Sequence, residues 1–117
     1  MLHDIVPFYV YVSSDGQVHV QPARLNVPEP AETQSIRLFV TSADPTILDI
    51  QPNAAGNIYK DFPPQTDGLE TGAKYIPKIT EAVQVHVVLQ YCMTDADGND
   101  EILINMERWV WIKPFVG

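Results

Sequence analysis

Only one cysteine occurs in the 117 residues, Cys92. A single thiol cannot close an internal disulfide, so the fold does not depend on oxidation. Positive charge is scarce as well: 7 Lys and Arg stand against 15 Asp and Glu, for a formal net charge of −8. The basic residues (Arg24, Arg37, Lys60, Lys74, Lys78, Arg108 and Lys113) are scattered along the chain and form no patch. Such a chain is repelled by phosphate backbones and by anionic membrane surfaces, so neither nucleic acid nor membrane is an expected partner. Long apolar runs are missing too. From Met1 to Val12 there is no basic start, and the apolar stretch is broken by His3, Asp4 and Pro7 before it alternates. That is the pattern of a strand, not of a signal peptide or a membrane span, and the expected location is the cytoplasm. No segment has helical period, no internal repeat occurs, and there is no glycine-rich phosphate loop or nucleophile elbow.

What remains is a globular composition, 45% hydrophobic and 19% charged. The length suits one domain over residues 1–117. A domain of this size hides roughly 60–70% of the surface its unfolded chain exposes, enough for a core without staples.

The apolar residues recur with a period of two. Val6, Phe8, Val10 and Val12 alternate with Pro7, Tyr9 and Tyr11, and Val18 and Val20 with Gln17, His19 and Gln21. Register decides the turn between them. With Asp15-Gly16 as a two-residue loop, Val12 would oppose His19. With Ser14-Asp15-Gly16 as a three-residue loop, Val12 faces Val18, Val10 faces Val20, and Tyr11 pairs with His19 on the outer side. Ile36, Leu38 and Val40 mark a third strand, and Ile47 to Ile50 a short fourth. Pro22 to Glu32 holds three prolines and reads as an edge or connection. Pro52 to Ala82 is the least patterned stretch. Short edge strands are expected at Ile58-Tyr59-Lys60 and Tyr75 to Thr80, with an exposed loop around Gln65 to Gly72.

The last third is a long hairpin. Val83, Val85, Val87, Leu89, Tyr91 and Met93 alternate with Gln84, His86, Val88, Gln90 and Cys92, and Ile102, Ile104 and Met106 resume after the turn. A four-residue loop, Ala96 to Asn99, sets Met93 opposite Ile102 and Tyr91 opposite Ile104. Beyond Met106 the phase has two solutions. A bulge near Glu107-Arg108 turns Trp109 and Trp111 into the core. Without it they stand on the outer face with Leu103 beside them, Val88 and Cys92 across the hairpin, and Trp109 opposite His86. About seven short strands with proline and glycine turns and no helix make an all-β, two-sheet antiparallel sandwich.

Two stretches carry a family resemblance: the hairpin Tyr9-Val-Tyr-Val-Ser-Ser-Asp-Gly-Gln-Val-His-Val20 and the tip Thr94-Asp-Ala-Asp-Gly-Asn99. In these the chain resembles small bacterial immunoglobulin-like β-sandwich domains. The antibody-type pair of cysteines around a tryptophan is absent. The resemblance implies an immunoglobulin-like sandwich with a scaffold or binding role, since that architecture hosts many functions.

Candidate chemistry is thin. Asp95, Asp97, Asn99 and Glu101 space oxygen ligands at alternate positions, as a calcium loop does. An EF-hand is excluded, because glycine falls fourth rather than sixth and Met106 takes the place of the twelfth-position glutamate. The plain alternative is a solvated turn, where Asp, Asn and Gly are favoured for geometry. His3, His19, His86, Cys92, Met93 and Met106 raise a copper reading, but no histidine follows Cys92, as a blue-copper loop would need. His86 and Cys92, six positions apart on one strand, share a face but lie roughly 20 Å from each other, too far to share a proton. No residue can be given a catalytic role. The aromatic pair is the strongest feature. Trp109 and Trp111, with His86, Val88 and Leu103, would form the centre of a protein interface or a stacking surface for sugar. The expected function is a non-enzymatic interaction or scaffold domain that self-associates, as a homodimer, or binds a protein partner through a sheet face. The alternative is a ligand-binding module for carbohydrate or calcium. No other cofactor is expected.

Overall fold

A computed structural model describes residues 5–42, 47–49, 58–75 and 79–114. These contain β1 (Phe8–Val12), β2 (Gln17–Pro22), β3 (Ser35–Ser42), β4 (Leu48–Asp49), β5 (Ile58–Phe62), β6 (Leu69–Tyr75), β7 (Val83–Thr94) and β8 (Asp100–Ile112), and no helix. The strands form two antiparallel sheets, in the orders β1-β2-β6-β4 and β5-β3-β7-β8. The fold is thus the all-β, two-sheet antiparallel sandwich that the alternation predicts, with the two-residue β4 beyond the seven fuller strands. His3, Ile50 and residues 76–78 lie outside the described residues.

The core follows from the period of two. Val18 and Val20 of one sheet meet Ile36, Leu38, Val40, Val85, Val87, Leu89 and Tyr91 of the other, all fully buried. Each such side chain contributes about 1.5–3 kcal/mol relative to exposure. The β1–β2 hairpin has the register read from the sequence: Val10 opposes Val20, Val12 opposes Val18, and Tyr11 opposes His19. Its three-residue loop is closed by the Ser13 N–H donating to the Gln17 carbonyl (3.0 Å) and the Gly16 N–H donating to the Ser13 carbonyl (2.9 Å). Gly16 takes the left-handed conformation, φ 82°, that this loop requires.

The stretch 65–72 is not one exposed loop. Its second half opens β6, an inner strand of its sheet, with Leu69 and Thr71 buried along with Ala73 and Tyr75. Threonine and alanine occupy inward positions there, so the apolar signal is diluted. Pairing with β2 slips between His19↔Glu70 and Gln17↔Lys74. Thr71 bridges the irregularity: its hydroxyl donates to the Val18 carbonyl (3.2 Å) and accepts from the Ala73 N–H (2.9 Å).

The β7–β8 hairpin also departs from expectation. Its loop is three residues, Ala96 to Gly98, not four. The Asp95 N–H donates to the Asn99 carbonyl (2.9 Å) and the Gly98 N–H to the Asp95 carbonyl (3.0 Å), with Gly98 at φ 82°. The two hairpins therefore share one turn design. Met93 consequently pairs with Glu101 and not with Ile102. A bulge between Tyr91 and Cys92 then leaves Leu103 without a partner, and from Tyr91↔Ile104 to Val83↔Ile112 the ladder is regular. No second bulge occurs at Glu107-Arg108, so the tryptophans are not turned into the core.

Candidate functional site

The outer face of β7–β8 carries the exposed aromatics. Trp109 lies opposite His86 and Trp111 opposite Gln84, and the two indoles are 55% and 63% exposed. Every second residue on a strand points to the same face, so these rings sit roughly 7 Å apart along it. The imidazole of His86 stacks on Trp109.

Backbone direction explains the closeness of that pair. The Gln34 N–H donates to the Cys92 carbonyl, and the Thr94 N–H donates to the Gln34 side chain, so even-numbered residues of β7 turn their backbone groups away from β8. His86 and Trp109 are then a non-hydrogen-bonded pair, the kind in which side chains approach most closely. By the same alternation, odd-numbered residues of β7 from Val83 to Tyr91 bond to even-numbered residues of β8. Asn105, Glu107, Trp109 and Trp111 turn their N–H and C=O groups to the side of β8 that, among the described residues, carries no further strand.

Val88 belongs to this face, half-buried between Phe39 of β3 and Glu107 of β8. Leu103 does not join it. It is the unpaired bulge residue, six positions and roughly 20 Å from Trp109. Cys92 shares the face by parity but is only 1% exposed, and burial pushes its thiol above the ordinary value.

A second aromatic pair stands on the other sheet, and the sequence did not single it out as a site. Tyr9 and Tyr11 of β1 are exposed, and Tyr11 stacks on His19 with centroids 4.8 Å apart and planes 7° from parallel. The ring of His19 is fixed by the Ser13 hydroxyl (2.9 Å) and lies 3.7 Å from the Glu70 carboxylate. β1 and β8 are the terminal strands of their sheets at the same side of the sandwich, and Tyr11 and Trp111 line one groove between them. The Tyr9-x-Tyr11 spacing, matching Trp109-x-Trp111, was the available signal.

The acidic tip is a self-satisfied turn. One carboxylate oxygen of Asp95 accepts from the Asp97 and Asn99 N–H groups, both at 2.9 Å. Asp100 reaches Arg37 of β3 (2.7 Å). Asp97, Asn99 and Glu101 are exposed, and among the described residues no three or more His, Cys, Asp or Glu gather as a metal site would need.

One polar cluster had no legible spacing. Arg24 bonds to the Asp67 carboxylate and the Thr66 carbonyl and pairs with Glu29, whose buried carboxylate also accepts from the Gln65 N–H (3.0 Å). Its members come from two distant connections, and one guanidinium is shared by two carboxylates. It ties the β2–β3 connection to the β5–β6 turn.

No family model, curated protein or solved structure matches the chain.

Proposed function

We propose that this chain is a non-enzymatic interaction domain that binds protein, another copy of itself or a partner, through the outer face of β7–β8. The observation that carries the reading is the exposure of Trp109 and Trp111 side by side on a regular strand. Tryptophan is enriched at the buried centres of interfaces, and two adjacent indoles left in water are a standing hydrophobic cost that a partner relieves. Half-buried Val88 and the stacked His86 extend the patch.

The scaffold is read as immunoglobulin-like. Two orders support this: β1-β2-β6-β4 parallels the A-B-E-D sheet of that fold, and β5-β3-β7-β8 parallels its C′-C-F-G sheet. One difference stands out, since here β4 precedes β5 along the chain. Light scattering after gel filtration, with and without calcium, tests the function. The expected result is a species larger than the monomer, indifferent to calcium and lost in W109A/W111A. A monomer throughout would count against it.

A carbohydrate-binding module is the second reading, favoured by the groove that Tyr11 and Trp111 line together. Aromatic faces of this kind stack on sugar rings. Tryptophan emission titrated with a glycan panel decides it, and an unchanged spectrum with every glycan would remove it.

A further inference from the structure

We propose that β8 pairs edge to edge with β8 of a second copy, antiparallel about a two-fold axis at Val110, joining two four-stranded sheets into one of eight. This deepens the interaction reading above and rests on it.

An unpaired sheet edge is a template for another strand, and proteins usually protect it by keeping it short. Among the described residues the other terminal strands obey that rule: β1 and β5 have five residues each and β4 has two. β8 has 13 and, among the described residues, pairs only with β7. The bulge at Leu103 distorts only the tip half. From Ile104 to Ile112 the strand is regular, and Asn105, Glu107, Trp109 and Trp111 present their backbone groups to the open side. Arg108, whose charge would oppose pairing if it faced an approaching strand, is occupied elsewhere: its guanidinium donates to the Ile5 carbonyl (2.5 Å).

Side chains fix the register. In an antiparallel homodimer, residues opposite one another have numbers that sum to a constant. A two-fold at Val110 sets Trp109 against Trp111 of the second copy and Glu107 against its Lys113, the residue that follows the strand. Both pairs occur twice by symmetry, and all use residues whose backbone groups face the edge. An axis at Arg108 would oppose that arginine to itself and set Glu107 against Trp109. With the axis at Trp109, Glu107 would meet Trp111 and Lys113 would meet Asn105. Only the Val110 axis matches opposite charges and stacks the indoles together. Such cross-strand pairs are the stabilising units of a sheet. The symmetric contact is also closed, so it ends at a dimer and does not propagate into a fibre.

The test uses the full chain with E107K, K113E and the double variant, followed by light scattering across a dilution series, with circular dichroism confirming the fold of each. The wild type is expected at twice the monomer mass. E107K and K113E, each with like charges facing, should dissociate at least tenfold more readily. E107K/K113E restores the pairs in swapped order and should recover the dimer. An equimolar mixture of the two single variants should form heterodimers, because both pairs are then complementary. If the wild type is dimeric and sensitive to W109A/W111A but indifferent to all charge variants, the edge register is overturned and the interaction face stands. A wild type that stays monomeric at roughly 0.5 mM, where micromolar complexes are fully formed, overturns the dimer and the self-association reading together.

Discussion

His86 and Trp109 face one another across the β7–β8 hairpin, with ring centroids 4.8 Å apart and planes 25° from parallel. The contact braces an indole that is otherwise half in water. A double-mutant cycle with H86A and W109A should return a coupling of about 0.5–1.5 kcal/mol in denaturant unfolding, the range for aromatic pairs. The Tyr11–His19 pair, nearly parallel at 7°, should give a similar value, and the two couplings should be independent because they belong to different sheets.

The shared turn design predicts matched costs. A Cβ on Gly98 would meet nothing, and one on Gly16 would make only ordinary contact with Tyr75, at 3.6 Å. Each substitution to alanine therefore costs backbone strain alone, about 1 kcal/mol, and the two unfolding free energies should fall by similar amounts. A much larger loss at Gly16 would mean that Tyr75 cannot yield.

Thr71 is buried and is hydrogen-bonded to both sides of the β2–β6 irregularity. Thr71→Val keeps the shape but strands a carbonyl and an N–H, which should destabilise by about 1–3 kcal/mol. Thr71→Ser keeps the hydroxyl and should cost less. Equal losses in the two variants would show that packing of the methyl matters as much as the hydrogen bonds.

Cys92 gives a pH dependence. Burial raises its thiol pKa in the folded state, so the folded protein holds the proton where the unfolded chain releases it. The associated stability is fully present below the unfolded value, about 8.5, and is lost as the pH rises through the folded one, at up to about 1.4 kcal/mol per pH unit. Chemical unfolding between pH 7 and pH 10 should show the decline (the wild type steeper than Cys92→Ala, which has no thiol to titrate).

Much of the fold was legible because alternation survives in β1, β2, β3, β7 and β8. The first hairpin's register could be read because a two-residue loop would have set Val12 against His19. The second resisted, since Met93 can oppose either Ile102 or Glu101 without exposing the core. β6 was obscured because Thr71 and Ala73 hold inward places that a larger aliphatic would have announced. Of the candidate site, the facing of His86 and Trp109 could be read from register alone. Whether the tryptophans stood inside or outside could not, because both phases leave apolar residues on each face of β8. The Arg24–Glu29–Asp67 cluster joins residues far apart in sequence, and no spacing rule finds such a set.

The unpaired Leu103 has a reach well beyond the tip. Were Leu103 paired with Tyr91 instead of bulged out, the three-residue loop would slide β8 by one position for its whole remaining length. Asn105, Glu107, Trp109 and Trp111 would then point into the sandwich, and Met106, Val110 and Ile112 would point to water. One additional link in the chain thus works as a phase corrector for the seven positions from Asn105 to Trp111. What sets the indoles on the surface is that Leu103 stands outside the ladder, and not their own affinity for water. Deleting Leu103 would test this in one step: Ile104 would follow Ile102 directly opposite Tyr91, so the ladder should become regular with Trp109 still opposite His86 and the fold kept.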